Sequence, residues 1–287
     1  MTTLYATPDA AEQLRAWVPR FHARLSVPTE ARTVPTRFGD THLLLAGPAD
    51  APPVLLLHGA MASSSHMLLE AEGLASSFRL IVPDIVGHSP MSADARLPID
   101  GYGAWATDVL DALELRRVAV VGVSYGGFVT LRLLAHAPDR VERASLVVPG
   151  GLVTAPIVSA LIRAAWPLLL YRTWPSERRL RTFLDAQLTT WDDDWGHWLG
   201  DAVRLFRLDL RVPPLATKEE LAAFRGPVQV FGADDDVHFP GPALIARARE
   251  LLDVVDAELI ADCRHAPPFT PAFRGWLAGR IASFLAT

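Results

Sequence analysis

The chain of 287 residues contains one cysteine, Cys263, and one lysine, Lys218. A single thiol excludes an internal disulfide and gives no reason to place the chain in an oxidising compartment. Positive charge is almost wholly arginine, interspersed with 32 acidic residues to a formal net charge of −5. No Lys/Arg stripe is present, so no nucleic-acid partner is expected. Long apolar runs are lacking too. Leu161 to Tyr171 is broken by Arg163 and Pro167 and is too short for a membrane span. The segment Met1-Thr2-Thr3-Leu4-Tyr5 has no basic stretch leading into an apolar one, so no secretory leader is expected and a cytoplasmic location is the default. The nine histidines are scattered, without His-Glu-x-x-His or a Cys/His cluster at ligand spacing, and no metal is expected. There is no internal repeat and no low-complexity segment.

What is present is ordinary globular composition, 50% hydrophobic and 21% charged. That length suits one large α/β domain, with or without an insertion. Residues 9 to 25 place Leu14, Trp17, Val18, Phe21 and Leu25 at roughly helical spacing around Pro19, which predicts a helical N-terminal arm over 1–32. Two strands, Thr33 to Phe38 and Thr41 to Ala46, flank the hairpin-type turn Gly39-Asp40. Short continuous apolar runs follow at Val54–Leu57, Arg79–Val82, Val118–Val121, Ala144–Val148, Val228–Phe231 and Ala257–Ile260. Such runs fit strands buried on both faces. Helical segments at 104–115, 125–136, 242–252 and 271–285 separate them, the alternation of a mostly parallel, doubly wound sheet. The rhythm stops between residues 150 and 224. That stretch holds Trp166, Trp174, Trp191, Trp195 and Trp198, and we read it as a helical cap inserted over the sheet's C-terminal edge. The core is then 1–149 plus 225–287. The tryptophans either line an acyl pocket or pack the insertion onto the core.

Chemistry concentrates at the ends of three predicted strands. Val118 to Val121 runs into Gly122-Val123-Ser124-Tyr125-Gly126-Gly127, a strand, a tight turn and a helix. Glycines without Cβ allow a turn that pushes the Ser124 hydroxyl into the open, as a nucleophile requires. A serine hydroxyl needs a base within hydrogen-bond reach, and that base needs an orienting partner. Acidic residues follow Phe231 in Gly232-Ala233-Asp234-Asp235-Asp236, and a histidine follows Ile260 in Ala261-Asp262-Cys263-Arg264-His265. Counting from Gly232 favours Asp235 as the acid. Counting back from Phe239-Pro240 or from His265 favours Asp236, which we choose, with Asp235 the fallback. Leu57-His58-Gly59-Ala60-Met61 follows the first buried strand. An oxyanion needs two preorganised N–H donors, assigned to Tyr125 and Ala60 with Met61 in reserve. His58 reads as a brace for that loop, and His88, His136, His197 and His238 as cap, loop or surface residues.

Together His58-Gly59, Pro83-Asp84-Ile85-Val86-Gly87-His88-Ser89, the Ser124 elbow, the acidic loop and His265 resemble the α/β-hydrolase superfamily. Within it, Thr36-Arg37-Phe38-Gly39-Asp40-Thr41-His42 resembles the N-terminal hairpin of bacterial serine carboxylesterases. The resemblance runs from about residue 33 to the C-terminus, the insertion excepted. It implies an α/β-hydrolase fold: an eight-stranded, mostly parallel sheet flanked by helices, with a helical cap. It also implies hydrolysis of a small-molecule ester without a cofactor, and places the acid at Asp236. Arg264 stands where similar proteins usually have glycine. Pro267-Pro268 delay the last helix to about Pro271.

A serine at the elbow argues against the haloalkane dehalogenase and epoxide hydrolase branches, which place an aspartate there. Thioesterase, lactonase, carbon–carbon hydrolase and iminopeptidase activities use the same three residues, and Asp192-Asp193-Asp194 could hold a peptide's amino terminus. A catalytically silent ligand-binding protein is the alternative of a different class. Monomer and homodimer are both compatible with the sequence.

Overall fold

The computed structural model describes residues 3–207 and 213–287. Residues 1–2 of the expected arm and 208–212 of the expected insertion lie outside the described residues. The chain opens with α1 (Ala10–Arg15) and α2 (Val18–His22), Pro19 falling in the first turn of α2, where its missing N–H is harmless. The edge pair follows, β1 (Thr29–Val34) and β2 (Thr41–Ala46), antiparallel with Val34 opposite Thr41.

The first strand therefore lies earlier than Thr33–Phe38, and the helical arm stops short of residue 32. Pro35 offers no N–H to the ladder, and Thr36 to Asp40 form the turn, with Gly39 at φ +107°.

The core then alternates: β3 (Pro53–Leu57), α3 (Ser64–Ala71), β4 (Arg79–Pro83), α4 (Gly101–Ala112), β5 (Val118–Val123), α5 (Tyr125–His136) and β6 (Val141–Val147). Helices alone follow as named elements. Among them α6 (Ile157–Ala160) continues through a π-turn into α7 (Trp166–Thr173), ahead of α8 (Glu177–Asp185), α9 (Asp193–Leu205) and α10 (Lys218–Leu221). The chain then returns to β7 (Val228–Ala233), α11 (Gly241–Leu251), β8 (Val254–Ile260) and α12 (Pro271–Leu285). The strands form one eight-stranded sheet in the order β1-β2-β4-β3-β5-β6-β7-β8, parallel from β4 to β8.

Each central strand serves two cores. Leu55 and Leu57 pack on one face, with Val118 and Val120, against α4 and α5. Val54 and Leu56 pack on the other, with Ala119 and Val121, against α3 and α12. Alternation with apolar residues in every position is what covering both faces requires. Complete burial of each leucine is worth about 2 kcal/mol. A sheet so anchored holds its C-terminal strand ends as a rigid rim, and the candidate site stands on that rim.

Candidate active site

β5 ends at Val123 and α5 begins at Tyr125, so Ser124 alone turns the chain. It does so at φ +52° and ψ −114°, a left-handed conformation that costs a non-glycine residue about 1–3 kcal/mol. Four backbone bonds hold it there, the longest from the Phe128 amide to the Ser124 carbonyl at 3.3 Å. The Ser124 N–H donates to Val147 O at 2.9 Å, and its carbonyl accepts from Gly127 and Gly150, each at 2.9 Å. The flanking glycines are needed for space. A Cβ on Gly126 would run into the Leu57 carbonyl, and one on Gly122 into Thr130 and the Gly126 backbone.

β5 and β8 are separated by three strand spacings, about 14 Å, so the loops after β7 and β8 must lean back toward Ser124. They do. Ser124 Oγ lies 2.8 Å from His265 Nε2, and His265 Nδ1 lies 2.8 Å from Asp236 Oδ2. A carboxylate can only accept, so Nδ1 carries the proton and Nε2 accepts from the serine. Asp236 is buried, and its other oxygen accepts from the His238 and Phe239 amides at 2.7 and 3.0 Å. Burial pushes its carboxyl up, but His265 and the two amides outweigh that and hold it below the ordinary carboxylate range.

The neighbouring aspartates face elsewhere. Asp234 accepts from the Asp262 and Cys263 amides at 2.9 Å each, tying the two loops together. Asp235 points outward and pairs with Arg163 at 2.8 Å.

Arg264 does not need the left-handed backbone that glycine would offer. Asp262, two residues earlier, takes it at φ +51°. The Arg264 guanidinium instead reaches Asp185 at 3.0 Å and Leu188 O at 3.2 Å. The residues around it are stitched to the same helical segment. Ala266 N–H donates to Gln187 O at 2.7 Å, while Thr189 Oγ1 donates to Ala266 O at 2.8 Å and accepts from the Arg264 amide at 2.9 Å. α12 starts at Pro271 with Thr270 as its cap, where the proline pair put it.

The loop after β3 passes over the elbow. A Cβ on Gly59 would sit 3.6 Å from that of Ser124 and 4.0 Å from its Oγ, so this loop packs directly on the elbow. His58 is buried and neutral: burial depresses its basicity, its Nδ1–H donates to Gly59 O at 2.7 Å, and its Nε2 accepts from the Ile85 amide at 2.9 Å. Met61 takes φ +53°, and its carbonyl accepts from Trp198 Nε1 at 2.9 Å. Beneath the loop, buried Asp84 accepts from His42 Nδ1 (2.7 Å), Ser64 and Ser89.

Two histidines read as cap, loop or surface residues lie in loops but are packed inside rather than on the surface. His88 is buried with its ring 3.9 Å from that of Tyr125 and its Nε2 3.1 Å from the Tyr102 hydroxyl. His238 sits 4.8 Å ring to ring from His265, with Nε2 2.7 Å from Gln187 Oε1. Burial, reinforced by His265, lowers its pKa to about 4. Only its position two residues past Asp236 could have flagged it. His136 and His197 are exposed, as read.

The tryptophans do not gather into an acyl pocket. Trp195 and Trp198 are buried against Leu14 and Phe21 of the N-terminal helices, and Trp166 and Trp174 are exposed. Trp191 lies under the Arg181 guanidinium at 4.0 Å. The three consecutive aspartates are also engaged. Asp192 caps α9 and pairs with Arg24 at 2.7 Å, Asp193 accepts from Trp191 Nε1, and Asp194 pairs with Arg20 at 2.7 Å. A groove of about 1030 Å³ opens at the N-terminal edge of the parallel strands between Arg24, Ala46, Arg79 and Arg274. It contains no nucleophile beside a base, so the strand-end site is where chemistry is possible. No group of three metal-ligating side chains occurs among the described residues.

Sheet, elbow and the convergence of three strand ends define an α/β hydrolase. Residues 54–273 match the alpha/beta hydrolase family, and the chain belongs to it. It is similar to the carboxylesterase YbfK of Bacillus subtilis, 29% identical over 249 residues, covering 83% of this chain and 82% of that one. A shorter match, 36% over 138 residues and 46% of each chain, is to the 2-hydroxymuconate semialdehyde hydrolase of a Pseudomonas species. Among solved structures, naproxen esterase (carboxylesterase NP) from B. subtilis superposes with a TM-score of 0.82 at 23% identity, covering 97% of this chain and 99% of that one.

Proposed function

We propose that the protein is a serine carboxylesterase that cleaves short- to medium-chain alkyl or aryl esters through an acyl-enzyme on Ser124. One observation carries the reading: a hydroxyl, an imidazole and a buried carboxylate in line, joined by two contacts of 2.8 Å. The similarity to YbfK over four-fifths of both chains supports the ester as the substrate class.

In the first half-reaction Ser124 Oγ attacks the ester carbonyl as His265 Nε2 takes its proton. The Ala60 and Tyr125 amides receive the charge on the carbonyl oxygen, each worth about 3 kcal/mol in the transition state. His265 returns the proton to the departing alcohol as the ester C–O bond breaks. Water then repeats the sequence on the acyl-enzyme and releases the acid. Asp236 keeps the Nδ1 proton in place and stabilises the imidazolium. The helical segment 150–224 acts as a cap over these strand ends. The elements involved ask for no metal or cofactor.

Hydrolysis of p-nitrophenyl acetate and butyrate tests the reading, with a fluorophosphonate probe as the second readout. Wild type is expected to turn over both esters and take up the probe, and Ser124→Ala to do neither. An inert, unlabelled wild type would instead favour a ligand-binding protein on this fold. The semialdehyde-hydrolase relative supports a second reading, carbon–carbon bond hydrolysis with the same residues. A dienoate turned over faster than any ester would select it.

A further inference from the structure

The sequence from Ile157 to Thr173 forms one continuous helical rod, α6 to α7, with a π-turn over Leu161–Ala165. Pro167 lies just beyond that turn and cannot donate the next rung, which is where an extra residue is tolerated. One side of the rod packs inward through Leu168 and buried Tyr171 onto Phe183, Leu184 and Leu188. The other side is apolar and uncovered. Eleven large apolar side chains are exposed among the described residues, and seven of them fall between Ile157 and Trp174. Ile157 is 78% exposed, Ile162 66% and Trp166 59%. Singly scattered residues of this kind need no explanation, but a helical stripe of them does.

Charge separates the possible partners. Residues 157–181 carry five arginines against one acidic residue, Glu177, in a chain of net charge −5. Arg163 and Arg181 are paired with Asp235 and Glu177. Arg172 and Arg178 are exposed and have no ion-pair partner among the described residues, and Arg179 lies over the exposed Trp174 ring at 5.9 Å. A second copy meeting this face across a two-fold axis would bring like charges together. An apolar helical face with tryptophans and arginines at its margin instead matches a bilayer surface carrying anionic headgroups. We propose that this helix docks the protein on an anionic lipid surface. The Arg163–Asp235 pair, one residue from Asp236, sets the docked face beside the site, so esters dissolved in lipid would meet it directly. Docking does not depend on the esterase reading.

The test is co-sedimentation with phosphatidylglycerol/phosphatidylcholine vesicles and with pure phosphatidylcholine vesicles, together with tryptophan emission. Wild type and Ser124→Ala are expected to bind the anionic vesicles equally, with a blue shift, and to be released by salt. Ile162→Ser and Trp166→Ser should each weaken binding by at least about tenfold, from the apolar area lost. Arg172→Gln and Arg178→Gln should cost about fivefold each. All four residues are exposed, so folding should survive, and circular dichroism checks it. No binding to anionic vesicles overturns the proposal, as does equal binding to pure phosphatidylcholine. Self-association that Ile162→Ser abolishes, without vesicle binding, assigns the face to a second copy and overturns it too.

Discussion

Three consecutive aspartates end one strand, and composition cannot tell them apart. Their hydrogen bonds can: Asp234 receives the amides of the histidine loop, Asp235 faces Arg163 in solvent, and only Asp236 reaches the imidazole. Asp236→Asn is expected to lower kcat by about 10⁴-fold by favouring the wrong histidine tautomer. Asp235→Asn removes an exposed ion pair worth at most about 1 kcal/mol and should leave kcat within a few-fold. Steady-state kinetics of the two variants on one ester decide the matter, and equal losses would contradict the assignment. Cys263, two residues from His265, is buried, and burial pushes its thiol up to about 11. Iodoacetamide should leave it unmodified in the native protein and alkylate it in urea, which peptide mass spectrometry reads directly.

Helices and buried strands of the core were legible because apolar runs and turn residues bound them sharply. Tyr125–His136 and Pro271–Leu285 fall where the sequence predicts them. β1 was not legible, because an edge strand reading Thr-Glu-Ala-Arg-Thr-Val is mostly exposed and carries charge where a core strand carries valine. α3 was missed for the opposite reason: seven of its eight residues are buried, Ser64, Ser65 and His66 among them, so polarity along it does not track burial. The acid, base and nucleophile could be proposed from strand ends alone. The stitch between residues 187–190 and the histidine loop could not, since it runs through backbone groups and a threonine hydroxyl. Thr189→Val removes two of those bonds. It should lower stability by about 1–2 kcal/mol, and by loosening His265 reduce kcat by about 10- to 100-fold with KM little changed. A lower melting temperature with unchanged kcat would show that the stitch is structural only.

Across the whole molecule, burial keeps several titratable groups from charging freely. His58, His66 and His238 are depressed chiefly by burial, His66 most severely within the rings of Phe21, Trp195 and Trp198. Unfolding lets these histidines take up protons that the native state refuses. Their contribution is intact above the ordinary histidine value and is lost as pH falls below about 6.5, at about 1.4 kcal/mol per pH unit for each group. Asp84 and Asp236 act in the same direction at lower pH. Burial opposes their ionisation, but their partners hold both below the ordinary carboxylate value, so their contribution fades only as the medium becomes acid enough to protonate them. Melting temperature should therefore drop between pH 7 and pH 5, and His66→Phe should flatten that drop. A profile level from pH 7 to pH 5 would contradict it.

The most direct test is to catch the intermediate. Rapid acid quench of enzyme turning over p-nitrophenyl butyrate, followed by peptide mass spectrometry, should find one butyryl group on the peptide containing Ser124. The adduct should be absent from Ser124→Ala and slow to form in His265→Ala. Full turnover by Ser124→Ala, or a butyryl group consistently on another residue, would contradict the account.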